Sequence, residues 1–399
     1  MGIFFSSFNG KEENPKLRFN VFSDVWKKDR LDKICVINPA TKKLPEKFYY
    51  IDLECVENGE IVSELNLISK IEAPSRAQRL LDINDMLYQT VRPYQKNNFL
   101  FNKSNDFPTV ASTGYAQIRS SKNNIKYIFQ LLHTDNFVVE AMKRSTGTGY
   151  PAISSSDLAE IEISYPSLPE QQKIADFLSL VDARIEKQRR LVESLKKYKR
   201  GLFLKLYNDS EKSITLFKNI YKMASEGGTP STSDSENYEN GKIPFIKIDD
   251  LNQHYLNFSK YFITEKGLKK SSAWIVPENS IIYSNGATIG ACSINKIPVT
   301  TKQGILGIVP KSNFSVEFLY FFFTSSIFKQ KIRAITTKGT MDCAYLKDIN
   351  GIKISIPDFI AQQKIAKIMV DFENLIERTE LSFIYLQNIK KALLQQMFI

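Results

Sequence analysis

Histidine and cysteine are both scarce in this sequence. Of 399 residues, two are histidine (His133 and His254) and four are cysteine (Cys35, Cys55, Cys292 and Cys343). No two cysteines stand in C-x-x-C spacing. A structural zinc site needs four clustered ligands, so no metal site is expected. The same dispersion leaves no disulfide framework, and a reducing cytoplasm is the expected compartment. No apolar run reaches the ~20 residues of a membrane span, so no membrane contact is expected. The aromatic stretch at 318–323 reads as a buried helix segment, and the N-terminus has no signal-peptide layout.

Catalytic signatures are missing as well. There is no G-x-x-x-x-G-K-[ST] phosphate loop, no [DN]-P-P-[YF] pocket for an exocyclic amine, no H-E-x-x-H and no G-x-S-x-G. With two histidines, general base chemistry of the common kind is starved. Gly147-Thr148-Gly149 and Gly286-Ala287-Thr288-Ile289-Gly290 lack the strand, G-x-G-x-x-G and helix context of a dinucleotide loop. No catalytic residue and no cofactor is assigned to this chain.

What is present begins with charge and core. The formal net charge is +11, which leans toward a polyanionic partner, nucleic acid or an anionic membrane. Hydrophobic residues make up 43% and aromatics 12%, enough for packed cores in two or three domains. A disordered chain is excluded.

The sequence is also written twice. Gln171-Gln172-Lys173-Ile174-Ala175 recurs as Gln362-Gln363-Lys364-Ile365-Ala366, an offset of 191. That offset holds without a gap from 146–207 to 337–398, with 16 identities in 62 positions. Unrelated segments of this composition would share about four. The implied order is domain 1–167, helix 168–207, domain 208–356, helix 357–399.

Both helices carry a heptad seam. Ile174, Leu178, Val181, Ile185, Gln188, Val192, Leu195, Lys199, Leu202 and Leu206 are spaced 4,3,4,3. The second copy is Ile365, Met369, Phe372, Ile376, Thr379, Phe383, Leu386, Lys390, Leu393 and Met397. Polar residues occupy the same two positions in each. The simplest burial is seam against seam, and a two-fold relation between repeats makes the pair antiparallel. The first helix region is basic, with ten Lys and Arg against five Asp and Glu. Residues 161–164, 243–248, 305–309 and 352–355 read as strands. Residues 125–132 and 316–331 read as helices, and 208–213 as a linker. The fold class is therefore α/β: two mixed domains separated by two long helices in an antiparallel coiled coil, with a pseudo-two-fold repeat.

Polar, glycine-containing loops supply candidate contacts to DNA. In the first domain they carry Arg76, Arg79, Arg92, Tyr94, Lys96, Lys143, Arg144 and Thr146. In the second they carry Thr229, Ser231, Ser284, Asn285, Thr288, Lys302, Gln303, Lys338 and Thr340. Arg, Lys, Gln and Asn read base edges, while hydroxyls and glycine amides suit phosphates. Thr146 matches Thr337, and Arg92 lies in the region matching Asn285.

These residues resemble a known family, the specificity (S) subunits of type I restriction–modification systems. Leu168-Pro169-Glu170-Gln171-Gln172-Lys173-Ile174-Ala175, through Phe177-Leu178 and Asp182, resembles its central conserved region. Gly227-Gly228-Thr229-Pro230-Ser231, Ile243-Pro244-Phe245-Ile246, residues 286–290 and Val91-Arg92-Pro93-Tyr94 resemble its target-recognition domains. The resemblance implies two such domains, each reading half of a split double-stranded DNA site. It implies a helix pair that sets the spacer and docks two methyltransferase subunits, with restriction (translocase–endonuclease) subunits added. S-adenosylmethionine, Mg²⁺ and ATP would belong to those partners. The second helix departs from the pattern, with Ile360-Ala361 in place of Pro169-Glu170 and Glu373 in place of Asp182. Two other classes remain open: a coiled-coil scaffold that binds only proteins, and a stand-alone nuclease or methylase.

Overall fold

A computed structural model describes residues 5–7, 15–40, 43–57, 59–251, 253–286, 288–336 and 342–399. The chain forms two compact units: Met1–Arg189 with Leu381–Ile399, and Arg190–Glu380. Each long helix is shared between the units, so each unit is described by itself.

The first unit holds two four-stranded sheets. One orders Phe99–Phe101, Asp85–Gln89, Tyr115–Arg119 and Val36–Ile37, all antiparallel. The other orders Leu67–Ser69, Lys47–Ile51, Thr109–Ser112 and Ala77–Leu80, with one parallel pair between Lys47–Ile51 and Thr109–Ser112. Helices Ile125–Leu131 and Asp135–Lys143 follow, and Glu162–Tyr165 pairs with Lys27–Arg30 before the first long helix starts. The core joins Met86, Tyr88, Ile118, Tyr127 and Ile128 to Ile174, Ala175 and Leu178, and to Met397 at the end of the second long helix and Phe398 just beyond it.

The second unit repeats the plan. Its five-stranded sheet orders Tyr221–Glu226, Ile305–Pro310, Ile281–Ser284, Cys292–Asn295 and Tyr255–Leu256. A three-stranded sheet joins Phe262–Ile263, Ile243–Ile246 and Thr300–Thr301. Lys212–Leu216 pairs with Lys353–Pro357. The expected strands at 161–164, 243–248, 305–309 and 352–355 therefore form, within a residue or two. The core packs Phe318, Phe322, Phe323 and Phe328 against Phe203 and Tyr207 of the first long helix and Ile365 and Met369 of the second. Each fully buried Phe stabilises by roughly 1.5–3 kcal/mol of transfer free energy.

Two expectations need correction. Residues 316–331 are not one helix but two, Val316–Thr324 and Ser326–Ile335. Ser325 is extended (φ −71, ψ 158), and its hydroxyl accepts the Phe328 N–H as an N-cap, so the helix restarts there. Thr134 does the same between the first unit's helices, accepting from Phe137. The linker is also shorter than expected, because the first long helix runs to Asn208 and the next strand begins at Lys212.

The long helices are Leu168–Asn208, 41 residues, and Phe359–Met397, 39 residues. Pro169 sits in the first turn, where its missing N–H costs nothing. Every seam residue is shielded: Ile174, Leu178, Val192, Ile365, Met369 and Ile376 are buried, and Val181, Ile185, Leu195, Phe372, Phe383 and Leu386 are half-buried. In the first unit Lys390 pairs with Asp182 at 2.6 Å. In the second unit Lys199 pairs with Glu373, and Lys196 with Glu380 at 2.5 Å. The partner number falls as the helix number rises, so the paired helices run antiparallel. One of the two polar seam positions, Lys199 and its repeat Lys390, thus finds the acid of the opposite repeat.

Candidate nucleic-acid interface

Each unit folds its polar loops onto one edge through the same hydrogen-bond frame. In the first unit Thr90 N–H donates to the Gly114 carbonyl (3.1 Å), and Ile153 N–H donates to the Thr90 carbonyl (3.0 Å). In the second, Asn285 N–H donates to the Gly304 carbonyl (3.0 Å), and Ala344 N–H donates to the Asn285 carbonyl (2.9 Å). Thr90 is thus the counterpart of Asn285, which places Arg92 opposite Ala287 in sequence.

On the first edge, Arg92 and Lys96 flank the short helix Pro93–Gln95, both with left-handed backbones (φ 55 and 56). Thr146 and Ala152 exchange two backbone hydrogen bonds at 2.9 Å and close the loop between them. Gly147 takes φ 93, a region glycine enters without penalty. The Arg92 guanidinium lies 4.2 Å from the Tyr150 ring centroid. Arg76 reaches the same edge through its carbonyl, which accepts the Thr113 N–H at 2.9 Å. Tyr94, Arg76, Lys143, Arg144 and Thr146 are exposed. Arg79 is half-buried, and burial lowers its guanidinium from its usual value. Lys143 pairs with Glu140 (2.6 Å) and Arg144 with Glu160 (3.9 Å), both in solvent, where such pairs are worth little. Lys96 is already engaged: its Nζ reaches Asp135 Oδ1 at 2.6 Å and donates to the His133 carbonyl.

On the second edge, Gly227 N–H donates to the Ile305 carbonyl (3.0 Å), and Gln303 N–H donates to Thr229 Oγ1 (3.4 Å). The approach is close enough that a Cβ on Gly227 would stand 2.0 Å from the Thr301 carbonyl oxygen. Thr229, Ser231, Thr288, Lys302 and Gln303 are exposed. Two candidates are corrected. Ser284 and Asn285 are fully buried, and the Asn285 amide donates to the Ala344 carbonyl at 3.1 Å, so it braces the loop instead of facing a base. Lys338 and Thr340 lie outside the described residues.

Both histidines are structural. His133 packs against the Phe129 ring at a tilt of 55° and donates from Nδ1 to its carbonyl at 2.6 Å, and burial lowers its pKa to about 4. His254 lies between Tyr255 and Tyr320, and burial lowers it to about 3. Among the described residues, no group of three or more His, Cys, Asp or Glu is placed to hold a metal ion. Among them, too, no helix is long and apolar enough to cross a membrane.

The type I restriction modification DNA specificity domain matches this chain twice, over residues 26–196 and 217–384. The chain belongs to that family. The type I restriction enzyme MjaIX specificity subunit of Methanocaldococcus jannaschii is 33% identical over 189 residues. That match spans 47% of this chain and 43% of the relative, less than half of its length. The EcoR124I/EcoR124II specificity subunit of Escherichia coli is 26% identical, over 69% of this chain and 70% of its own. A putative MjaX specificity subunit, also of M. jannaschii, is 25% identical over 92% and 91%. In fold, the chain resembles one from a study of complex assembly and conformational transition of the type I R-M system (TM-score 0.61, 20% identity, covering 94% and 97%). It also resembles a type I restriction–modification S subunit from M. genitalium (TM-score 0.56, 19% identity, covering 97% and 99%).

One departure at the start of the second helix, Ala361 in place of Glu170, has a physical reason. Glu170 is fully buried, and Arg18 reaches it with Nε at 2.7 Å and Nη2 at 2.8 Å. Arg18 comes from the strand Leu17–Phe19, while the second unit runs straight from helix end to Lys212–Leu216, so Ala361 has no such arginine to meet. Sequence reasoning also missed Tyr150. An aromatic directly after Gly147-Thr148-Gly149 and before a proline was the available signal.

Proposed function

We propose that this chain is the DNA-recognition subunit of a type I restriction–modification assembly, reading a bipartite duplex site. The observation that carries the reading is the duplicated edge: one hydrogen-bond frame, built twice, presents polar and basic loops on two units of one chain. The family supports it, because its domain is a DNA specificity domain and is matched once in each half. Each unit reads its own half-site, and the helix pair sets the spacer and receives two methyltransferase subunits and the restriction subunits. The chain has no catalytic role. S-adenosylmethionine, Mg²⁺ and ATP are used by the partner subunits, and the assembly works in the cytoplasm.

The test is expression of the chain with its methyltransferase, followed by mapping of methylated adenines. A split target is expected. Replacing residues 208–356 by a homologous domain should change one half of it and leave the other. A swap that altered neither half would defeat the modular reading. Binding indifferent to salt between about 50 and 200 mM would favour a protein-only scaffold, since phosphate contacts release counterions.

A further inference from the structure

We propose that Arg92, set over the ring of Tyr150, is a phosphate anchor of the first unit, contacting a diester of the duplex backbone without reading sequence. The proposal rests on the duplex-recognition reading above. Arg92 takes a left-handed backbone (φ 55, ψ 58), which residues with long side chains rarely adopt. Its N–H donates to the Pro151 carbonyl at 2.7 Å, and Val91 bridges to Ala152. Those bonds bring Tyr150 against the guanidinium, at 4.2 Å. Tyr150 is itself 69% exposed, so the pair lies at the surface.

The cation is positioned but not neutralised. Arg18, Arg30, Arg119 and Arg144 each pair with a carboxylate, whereas no carboxylate among the described residues pairs with Arg92. Arg92 Nε is shielded from solvent and has no hydrogen-bond partner among the described residues. A planar guanidinium fixed on a ring loses little freedom when it meets an oxyanion. Its placement selects the phosphate over the base. Arg92 is half-buried, while a base edge lies at the floor of a groove about 8.5 Å deep. Phosphates line the outside of the duplex and are within reach of a half-buried cation.

The second unit lacks both partners by sequence. The frame that equates Thr90 with Asn285 and Ile153 with Ala344 sets Ala287 opposite Arg92 and Met341 opposite Tyr150. The arginine–tyrosine pair therefore belongs to the first half of the sequence.

The experiment measures affinity of the full chain for two duplexes of unrelated sequence across a salt series. Arg92→Ala should weaken both by the same factor, roughly tenfold for one charged hydrogen bond. It should also make the log–log salt slope shallower by about 0.9. Arg92→Gly, which suits the left-handed backbone, should do the same and guards against misfolding. Tyr150→Ser should lose affinity with thermal unfolding unchanged, and Tyr150→Phe should bind like the parent. A parental slope in Arg92→Ala, or a loss confined to one duplex, overturns the anchor while leaving the recognition reading intact. A parent chain whose binding has no salt dependence overturns both.

Discussion

Gln171 accepts the backbone N–H of Asn124 on its Oε1 at 3.0 Å, so the start of the first long helix grips the cap of the helix Ile125–Leu131. Its Nε2 donates to the Pro166 carbonyl at 2.9 Å. One repeat later Gln362 makes the same two bonds, to the Ser315 N–H and from its amide to the Pro357 carbonyl, each at 2.9 Å. Both glutamines are almost fully buried. The repeated Gln-Gln-Lys-Ile-Ala segment therefore preserves a joint, not only a seam.

Removing the joint should destabilise one unit at a time. Gln171→Ala strands a buried carbonyl, at about 1–3 kcal/mol, and a part-buried N–H that costs less. The chain has two tryptophans, Trp26 in the first unit and Trp274 in the second. In a Trp274→Phe background, urea unfolding followed by Trp26 fluorescence should shift to lower denaturant for Gln171→Ala and hardly move for Gln362→Ala. Trp26→Phe should show the reverse.

The Arg18–Glu170 pair makes a sharper case. Both side chains are buried, so removing one leaves an uncompensated charge, at about 3–5 kcal/mol. Arg18→Met and Glu170→Gln should each lower the midpoint of the first unit strongly. The double variant should recover most of the loss. Additive losses in a double-mutant cycle would show that the two residues act separately.

Charge exchange tests the helix orientation. Lys199→Glu sets two carboxylates together where Lys199 now meets Glu373, and Glu373→Lys does the same with two ammoniums. Each single change should destabilise the second unit, and the two together should restore it. Half-buried pairs of this kind couple by about 1 kcal/mol or somewhat more than exposed ones. Circular dichroism melts of the four proteins read the coupling.

Acid should weaken the first unit through His133. Burial holds its folded pKa at about 4, below the 6.5 of an unperturbed imidazole, so the unfolded chain binds the proton first. Stability is fully present above pH 6.5 and falls as the pH drops toward 4, by at most about 1.4 kcal/mol per pH unit. His133→Phe should flatten that part of the profile, measured by urea midpoints between those two values.

The helices were legible in the sequence because the 4,3,4,3 spacing is a property of consecutive residues. Lys199 and Lys390 were visible as polar seam positions, but their acids lie on the other helix and only folding brings them together. Asn285 shows the opposite case. Its residue type and its glycine-flanked loop fit a base contact, yet the loop folds inward and uses the amide to hold Ala344. The break at Ser325 was masked by apolar residues on both sides, although a serine pair before a helical run is a capping signal. Tyr150 matters through Arg92, 58 residues away in sequence, and no local pattern reports that distance.

The placement of Met397 and Phe398 in the first unit's core has a consequence for biosynthesis. The second unit is one continuous stretch, Arg190–Glu380, so its core draws on nothing outside that stretch. The first unit is made earlier but needs Leu381–Ile399 to cover Tyr127 and Ile128. During translation the older half must wait, with that apolar surface open, until Leu381–Ile399 emerge, after the whole of the second unit has been made.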